Sequence, residues 1–240
     1  MGEHNLEFNV KLLIITGASA GIGAATAKTF LSADYTVINL SRRPCPIEAV
    51  CHVKCDLANP SFIKHISEHI DPILGKADEI TLIHNASRLN NDSATTIESA
   101  AMREVFEINI FAPSILNHYV IPHMNSGSSI LYVGSTLSEK AVPGTYSYVV
   151  SKHATVGMMR ATCQDLIGTG IHTACICPGF TDTEMLRDHV PESALEEVST
   201  ASAFGRLIQP HEISDTLFFA ARNPVINGAV IHANLGQRER

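Results

Sequence analysis

A tyrosine and a lysine stand one helical turn apart in the segment SYVVSKHA, at Tyr148 and Lys152. Side chains four positions apart lie on the same face of a helix. An ordinary tyrosine ionises well above neutral pH, but a neighbouring ammonium group favours the phenolate. The pair therefore predicts a general acid/base that gives a proton to a carbonyl oxygen or takes one from an alcohol. Ser135, in YVGST, precedes the pair and could hold the same oxygen.

A glycine-rich turn near the start of the chain could bind phosphate. The segment TGASAGIG, residues 16–23, follows the apolar run VKLLII and precedes the run AATAKTFL, which favours a helix. Gly17, Gly21 and Gly23 allow a tight turn and a close approach of a ligand to the backbone. The free N–H groups and the positive dipole end of the following helix attract phosphate. The pattern predicts a dinucleotide cradle, although its glycine spacing differs from GxGxxG.

The end of the second apolar run predicts which dinucleotide binds. In a sheet of this kind an acid at that end holds the ribose 2′-hydroxyl of NAD, whereas an arginine accommodates the 2′-phosphate of NADP. Ser41, Arg42 and Arg43 stand there and no acid does, so we predict NADP(H), with NAD(H) second and Arg42 ahead of Arg43 as the ligand. The alternative is a pair of solvated surface arginines. Asp56, after the third run, would reach the adenine ring or serve as a plain turn residue.

These groups need a scaffold, and short apolar runs alternate with longer amphipathic runs along the chain. The apolar runs predict seven strands, over residues 10–16, 35–41, 49–55, 79–85, 128–134, 171–177 and 228–234. The amphipathic runs predict helices over residues 21–32, 60–70, 99–124, 146–168 and 210–222. Near-continuous apolar strands separated by helices are typical of a parallel sheet covered on both faces. We therefore predict an α/β, Rossmann-type doubly wound fold with a mostly parallel seven-stranded sheet.

We expect one domain over residues 1–240, because no linker, repeat or low-complexity segment interrupts this alternation. The longest irregular stretch covers about residues 179–205. Loops of that length in a compact domain are usually functional, so we expect a substrate loop there. Its acidic residues and alanines predict one or two short helices.

Composition argues against several other classes of protein. A net charge of −7, without basic clusters beyond one arginine pair, predicts no binding to nucleic acid or anionic membranes. No apolar run is long enough to span a bilayer and the N-terminus does not resemble a signal peptide, so we expect a cytoplasmic protein. The 6 cysteines and 12 histidines show no metal-ligand spacing, which predicts no metal site. Cys175 and Cys177 would share one face of a strand as core residues.

The motifs resemble those of the short-chain dehydrogenase/reductase family over nearly the whole chain, from TGASAGIG to GAVIHANLG. Type, order and spacing all agree at Thr16 to Gly23, Asp56, Asn85-Ala86, Asn109, Ser135, Tyr148, Lys152, Pro178-Gly179 and Thr183. His84 and Ser87 depart from the family pattern, because they replace the first asparagine and the glycine of its NNAG motif.

The resemblance implies a catalytic tetrad. Tyr148 would be the acid/base, Lys152 would hold the nicotinamide ribose and Ser135 would orient the substrate. Asn109 would hold a water that relays protons through Lys152. The residues expected to contact the cofactor are Gly17, Ser19, Ala20, Gly21, Ile22, Gly23, Ser41, Arg42, Arg43, Asp56, Leu57, Asn85, Ala86, Tyr148, Lys152, Pro178, Gly179, Thr181 and Thr183.

The function expected from these residues is NADP(H)-dependent hydride transfer between nicotinamide and a carbonyl or secondary alcohol. The alternative is a catalytically silent member of the fold that senses cofactor. The family also implies a homodimer or homotetramer built through the helices at 99–124 and 146–168. The candidate substrate-pocket residues are mostly apolar and favour a carbonyl on a nonpolar or aromatic body: Thr136, Leu137, Val142, Tyr146, Phe180, Met185 and Leu186.

Overall fold

A seven-stranded parallel sheet forms the centre of the computed structural model, which describes residues 10–237. The strands are β1 (Lys11–Thr16), β2 (Thr36–Ser41), β3 (Cys51–Lys54), β4 (Glu79–His84), β5 (Ser129–Val133), β6 (His172–Pro178) and β7 (Ala229–Ala233). Their order across the sheet is β3-β2-β1-β4-β5-β6-β7, and every neighbouring pair is parallel. The predicted Rossmann-type sheet is confirmed.

Helices connect the strands and cover both faces of the sheet. They are α1 (Gly21–Leu31), α2 (Phe62–Leu74), α3 (Ser99–Phe106), α4 (Ala112–Val120), α5 (Tyr146–Asp165), α6 (Glu184–His189), α7 (Leu195–Thr200) and α8 (Pro210–Ala221). Two of them, α6 and α7, lie in the stretch 179–205, where one or two short helices were predicted. Within residues 10–237 no helix is long and apolar enough to cross a membrane.

The side chains of each strand point alternately to the two covered faces of the sheet, which explains why the strand sequences are apolar throughout. In β1, Leu12 and Ile14 pack into a core with α2, α4 and α5, whereas Leu13 and Ile15 pack into a second core with α1 and α8. Successive side chains of a strand point to opposite faces, so a sheet covered on both faces needs apolar residues at every position. The two cores fix the sheet between the helical layers and leave its carboxyl edge open to ligands.

The long helix predicted over residues 99–124 is interrupted. A π-helical turn, Glu107–Phe111, separates α3 from α4, and α4 gives way to a 3₁₀ turn, Ile121–His123. Such single π turns inside helices occur frequently at functional sites. The helix predicted over residues 60–70 instead continues to Leu74, because Pro72 is accommodated within its last turn.

Four of the six cysteines are buried, whereas Cys45 is half-buried and Cys51 is exposed. All six are free thiols. Cys175 and Cys177 are fully buried on one face of β6, with their Sγ atoms 3.9 Å apart. A Cβ on Gly134 would lie 2.8 Å from both sulfurs, so glycine lets the end of β5 pack directly on this pair. The segment after Gly134 is thereby held close to β6.

Candidate active site

A large cavity opens at the carboxyl edge of the sheet, where the strand order reverses between β1 and β4. In open α/β sheets, ligands bind at such a switch point. The cavity has a volume of about 1530 Å³ and is lined by the segments that follow β1, β2, β3, β4, β5 and β6. Every residue predicted to contact the cofactor lines it, and so does Ser135. The structure thus brings together residues that are spread over most of the chain.

The glycine turn forms one wall of this cavity. Gly17 and Gly21 have φ angles of 73° and 54°, in the left-handed region that favours glycine. A Cβ on Gly23 would lie 2.3 Å from the Gly17 carbonyl oxygen, so glycine is needed for α1 to start this close to the turn. The N-cap of α1 is Ala20, which has no side-chain group to bond the first helical N–H groups. An uncapped helix N-terminus in a cavity wall fits the binding of phosphate.

Two asparagines from neighbouring strands brace the turn. Asn39 Oδ1 accepts a hydrogen bond from the Ala18 N–H at 2.9 Å. Asn85 Nδ2 donates to the carbonyl oxygens of Thr16 and Gly17, at 2.9 and 3.1 Å. The amide of Asn85 therefore supports the cradle. Sequence reasoning missed Asn39, because its partner lies 21 residues earlier, in the turn after β1.

The two arginines at the tip of β2 differ in their ion pairing. Arg43 Nη2 lies 2.7 Å from Glu184 Oε2, and this ion pair joins the tip to the start of α6. Arg42 is exposed and makes no ion pair among the described residues. The Ser41 hydroxyl donates to the Arg43 carbonyl oxygen at 2.5 Å, which shapes the turn. Arg42 is thus the arginine at this tip that an incoming anion can bind without displacing a carboxylate.

On the adenine side, the wall after β3 is formed by Asp56 and Leu57. Asp56 is exposed, and its Oδ1 accepts a hydrogen bond from the Ala58 N–H at 3.0 Å. Leu57 is buried and packs into the core beneath the cavity. The aspartate therefore serves the local turn and also lines the cavity, so both interpretations of Asp56 fit its geometry.

Tyr148 and Lys152 lie on the buried face of α5, next to the cavity. Their exposed fractions are 7% and 4%. Lys152 Nζ lies 5.4 Å from the centre of the Tyr148 ring and donates to the Val133 carbonyl oxygen at 2.8 Å. That bond uses one of the three donors of the ammonium group and holds its charge beside the phenol. The phenol and the ammonium group both face the same cavity.

Ser135 lies two residues beyond the end of β5. Its Oγ accepts from the Leu137 N–H at 3.1 Å, and its own N–H donates to Ser138 Oγ at 3.1 Å. This reciprocal cap starts a short 3₁₀ turn, Thr136–Ser138. Because the Ser135 oxygen is the acceptor in its bond to Leu137, its O–H remains able to donate to a substrate oxygen in the cavity.

Asn109 does not line the cavity. It is buried in the π-helical turn, and its Nδ2 donates to Ser151 Oγ at 2.9 Å and to the Arg88 carbonyl oxygen at 3.0 Å. Its Oδ1 accepts from the Arg88 N–H at 2.8 Å. Ser151 in turn donates to the Tyr148 carbonyl oxygen at 2.8 Å. The side chain is thus committed to positioning α5 and the loop after β4, and the expected role of Asn109 in holding a relay water stays a prediction.

Asp92 caps α5 from a distant part of the chain. Its Oδ1 accepts from the Ser147 N–H at 2.9 Å, and its Oδ2 accepts from the Ser147 hydroxyl. Its backbone also bonds Gly144 and Tyr146, at 3.0 and 3.2 Å. The local N-cap residue, Thr145, makes no side-chain cap. Sequence reasoning missed Asp92, whose turn-forming surroundings, NNDS, gave no sign of the helix that it would cap.

The segment after β6 covers the cavity and contacts both of its walls. Thr183 caps α6 through a 3.3 Å bond from the Leu186 N–H, and its methyl group lies 3.0 Å from where a Cβ on Gly21 would be. At the other end of α6, His189 Nε2 lies 3.1 Å from the Leu89 carbonyl oxygen on the opposite wall. This segment is therefore placed as a lid over the site.

Most of the residues predicted for the substrate pocket line the cavity. Of the candidate pocket residues, Thr136, Leu137, Val142, Phe180, Met185 and Leu186 line it. Tyr146 does not line the cavity; it begins α5 with 40% of its surface exposed, so it is a helix-start residue and not a pocket residue. Gln237, which sequence reasoning missed, adds a polar group beside Gly179: its Oε1 is buried without a hydrogen-bond partner among residues 10–237.

His84, the residue that departs from the family's asparagine, belongs to a buried polar chain behind the site. Its Nε2 lies 2.8 Å from Asn117 Oδ1, while Asn117 Nδ2 donates to the Tyr132 hydroxyl at 2.7 Å. Since the Asn117 oxygen accepts, Nε2 of His84 carries the proton and Nδ1 is left without a partner. Burial lowers the pKa of His84 to about 4, so the ring is neutral at physiological pH.

The family model described as short chain dehydrogenase matches residues 11–194. The chain belongs to the short-chain dehydrogenase/reductase family. It is 30% identical to the protein FixR of Bradyrhizobium diazoefficiens over 247 aligned positions, which cover 95% of this chain and 86% of that protein. It is 27% identical to the 3-oxoacyl-[acyl-carrier-protein] reductase FabG of Thermotoga maritima, covering 92% of this chain and 95% of the relative. The chain is accordingly an oxidoreductase of this family.

Solved structures share the fold at low sequence identity. A 4-hydroxyisoleucine dehydrogenase complexed with NADH superposes with a TM-score of 0.85 at 22% identity, covering 94% of this chain and 98% of that one. ElxO with NADP bound superposes with a TM-score of 0.83 at 22% identity, covering 95% and 98%. The fold therefore occurs with either nicotinamide dinucleotide.

Proposed function

We propose that the protein is an NADP(H)-dependent oxidoreductase that interconverts a carbonyl and a secondary alcohol, with Tyr148 as the general acid/base. The observation that carries the proposal is the position of Tyr148 and Lys152: both are buried beside one cavity whose other end is the glycine turn. The cofactor, when bound, supplies or accepts the hydride. The uncapped start of α1 and the orphaned Oε1 of Gln237 are features that fit such a ligand.

In the reducing direction, the residues of the chain handle the substrate oxygen and its proton. Ser135 donates a hydrogen bond to the carbonyl oxygen and stabilises the negative charge that develops there. Tyr148 transfers its phenolic proton to that oxygen as hydride reaches the carbonyl carbon, so the C=O double bond becomes a CH–OH group. Lys152 stabilises the resulting phenolate through its charge. The oxidation of an alcohol follows the same steps in reverse.

Preference for NADP(H) is proposed from the tip of β2. Arg42 is exposed there without an ion-pair partner among the described residues, and no acid stands nearby on the strand to favour the 2′-hydroxyl of NAD(H). A guanidinium group suits phosphate in geometry as well as charge. Because Leu137, Val142, Phe180, Met185 and Leu186 line a cavity of about 1530 Å³, we propose a ketone or aldehyde on a nonpolar or aromatic body as substrate.

The same proposal covers organisation and location. One domain would carry the site, with the lid as its substrate loop. Assembly into a homodimer or homotetramer through α3, α4 and α5 is proposed from membership of the family, whose enzymes are typically oligomeric. Six free cysteines are typical of a reducing compartment and support a cytoplasmic location.

The test is a titration of the purified protein with NADPH and with NADH, followed by nicotinamide fluorescence. It is repeated on Arg42→Ala and on Arg160→Ala, a control that removes an exposed arginine outside the cavity. We expect tighter binding of NADPH, lost in Arg42→Ala and kept in Arg160→Ala, followed by NADPH oxidation in a panel of aldehydes, ketones and diketones. A preference for NADH would overturn the role of Arg42. Cofactor binding without turnover of any carbonyl or alcohol would favour the catalytically silent sensor instead.

A further inference from the structure

The ion pair between Arg43 and Glu184 links the two parts of the cavity that would meet the cofactor. The two residues are 141 positions apart in the sequence, and Arg43 Nη2 lies 2.7 Å from Glu184 Oε2. Both residues line the cavity. The side chains are 65% and 61% exposed, so burial does not hold them together and a competing anion can reach them. The pair thus stands between the lid and the tip of β2.

The lid holds Glu184 in this position. The residue directly follows Thr183, which caps α6 and contacts the glycine turn. The far end of the same helix is bonded to Leu89 through His189. Because both ends of α6 are fixed to the cavity walls, the backbone of Glu184 stays near the tip of β2, within reach of Arg43.

Two carboxylates from α6 act on Arg43 at this tip. The hydrogen bond and the charge of Glu184 raise the pKa of Arg43, and Asp188 contributes in the same direction from the next turn. The guanidinium of Arg43 is therefore already engaged by an anion. The tip of β2 is also where the 2′ substituent of the adenine ribose is recognised in this type of sheet. A 2′-phosphate would compete with Glu184 for Arg43 and be repelled by both acids.

We propose that Glu184 is a residue of the lid that determines cofactor specificity by weakening the binding of 2′-phosphorylated dinucleotides. This inference rests on the proposed function, because it requires a dinucleotide in the cavity. NADP(H) would bind through Arg42 and reach Arg43 only after the ion pair with Glu184 opens. NAD(H), which has a neutral hydroxyl at the 2′ position, would not disturb the pair. Glu184 would therefore reduce the preference for NADP(H) over NAD(H) that Arg42 creates.

The test compares dissociation constants of NADPH and NADH for the wild type, Glu184→Gln, Arg43→Ala and the double variant. Adenosine 2′,5′-bisphosphate, which lacks nicotinamide, serves as a third probe. Since an exposed ion pair is a weak interaction, we expect Glu184→Gln to tighten the binding of NADPH and of the bisphosphate by about two- to five-fold and to leave the binding of NADH unchanged. This gain in NADPH affinity should be smaller when Arg43 is also replaced by alanine, because there is then no arginine that the loss of the Glu184 carboxylate could free.

Glu68→Gln is the matched control. Glu68 is exposed on α2, outside the cavity, so its removal changes the net charge alone. An unchanged ratio of NADPH to NADH affinity in Glu184→Gln, or the same change in Glu68→Gln, would overturn the inference. An equal gain for both cofactors would overturn it too, because it would indicate an effect on the lid and not on the phosphate. The proposed function fails differently: the wild type itself would then bind neither cofactor.

Discussion

The capping of α5 by Asp92 can be tested by removing the carboxylate. Asp92→Ala deletes two hydrogen bonds to Ser147, one of which caps a helix without a local cap. An N-cap contributes about 0.5–2 kcal/mol and a bond to a charged group about 1.5–3 kcal/mol, so we expect a loss of roughly 2 kcal/mol. For a protein of this size, 1 kcal/mol corresponds to roughly 2–4 °C, which predicts a fall in Tm of about 4–8 °C.

The same substitution should affect catalysis, because Ser147 directly precedes Tyr148. A displacement of about 1 Å at a reacting group can cost about 10²-fold in rate. We expect kcat to fall by about 10- to 100-fold, while the dissociation constant for the nicotinamide cofactor changes by less than about two-fold. Differential scanning calorimetry and steady-state kinetics with the best carbonyl substrate measure the two effects.

Two further variants separate capping from a general loss of structure. Asp92→Asn keeps an oxygen for the Ser147 N–H and places an amide beside the Ser147 hydroxyl, so it should recover most of Tm and kcat. Ser147→Ala loses only the hydroxyl bond and should lie between Asp92→Ala and the wild type. The reasoning is refuted if Asp92→Ala keeps wild-type Tm and kcat, or if Asp92→Asn is as impaired as Asp92→Ala.

Three other perturbations follow from the fold and the cradle. The pKa of His84 is about 4 in the folded protein and about 6.5 in the unfolded chain. Between these pH values the unfolded state binds more protons than the folded state. The free energy of unfolding should therefore fall by about 3 kcal/mol as the pH drops from 6.5 to 4. The free energy of unfolding, measured with urea at several pH values, should depend less steeply on pH in His84→Asn than in the wild type. The same pH dependence in both proteins would contradict the buried neutral ring. Gly23→Ala should destabilise the protein by about 1–3 kcal/mol and weaken cofactor binding, because its Cβ meets the Gly17 carbonyl oxygen. Gly157→Ala lies at an exposed position inside α5 with no atom near its Cβ, so it should stabilise the protein by about 0.5–1 kcal/mol and leave cofactor affinity unchanged. The same change in stability and cofactor affinity in both alanine variants would contradict the packing of the cradle.

The sheet could be predicted from the sequence because its signals are local. Each strand buried on both faces leaves an uninterrupted apolar run, and all seven strands lie within the predicted ranges or extend one residue beyond them. The glycine turn and the spacing of Tyr148 and Lys152 are local in the same sense. Their convergence on one cavity follows from the parallel sheet, in which the carboxyl ends of the strands share an edge.

The contacts that position the site could not be predicted in the same way. Asp92 bonds Ser147 and Glu184 bonds Arg43 across long separations in sequence, so each partner is determined by the packing of loops and not by a local pattern. The mid-helix Asn109 was singled out, but its commitment to Arg88 and to Ser151 depends on how the π-helical turn meets α5. Sequence identified which residues matter, whereas their hydrogen-bond partners required the three-dimensional arrangement.

The central claim, that Tyr148 transfers the proton, is tested most directly by Tyr148→Phe. The rate of NADPH oxidation with the best carbonyl substrate is measured together with the dissociation constant for NADPH in the same preparation. The account predicts that turnover falls by about 10²–10⁴-fold, the usual contribution of a general acid, while NADPH affinity is nearly unchanged. Turnover close to that of the wild type would contradict the assignment of Tyr148, and so would a loss of turnover that merely follows a loss of cofactor binding.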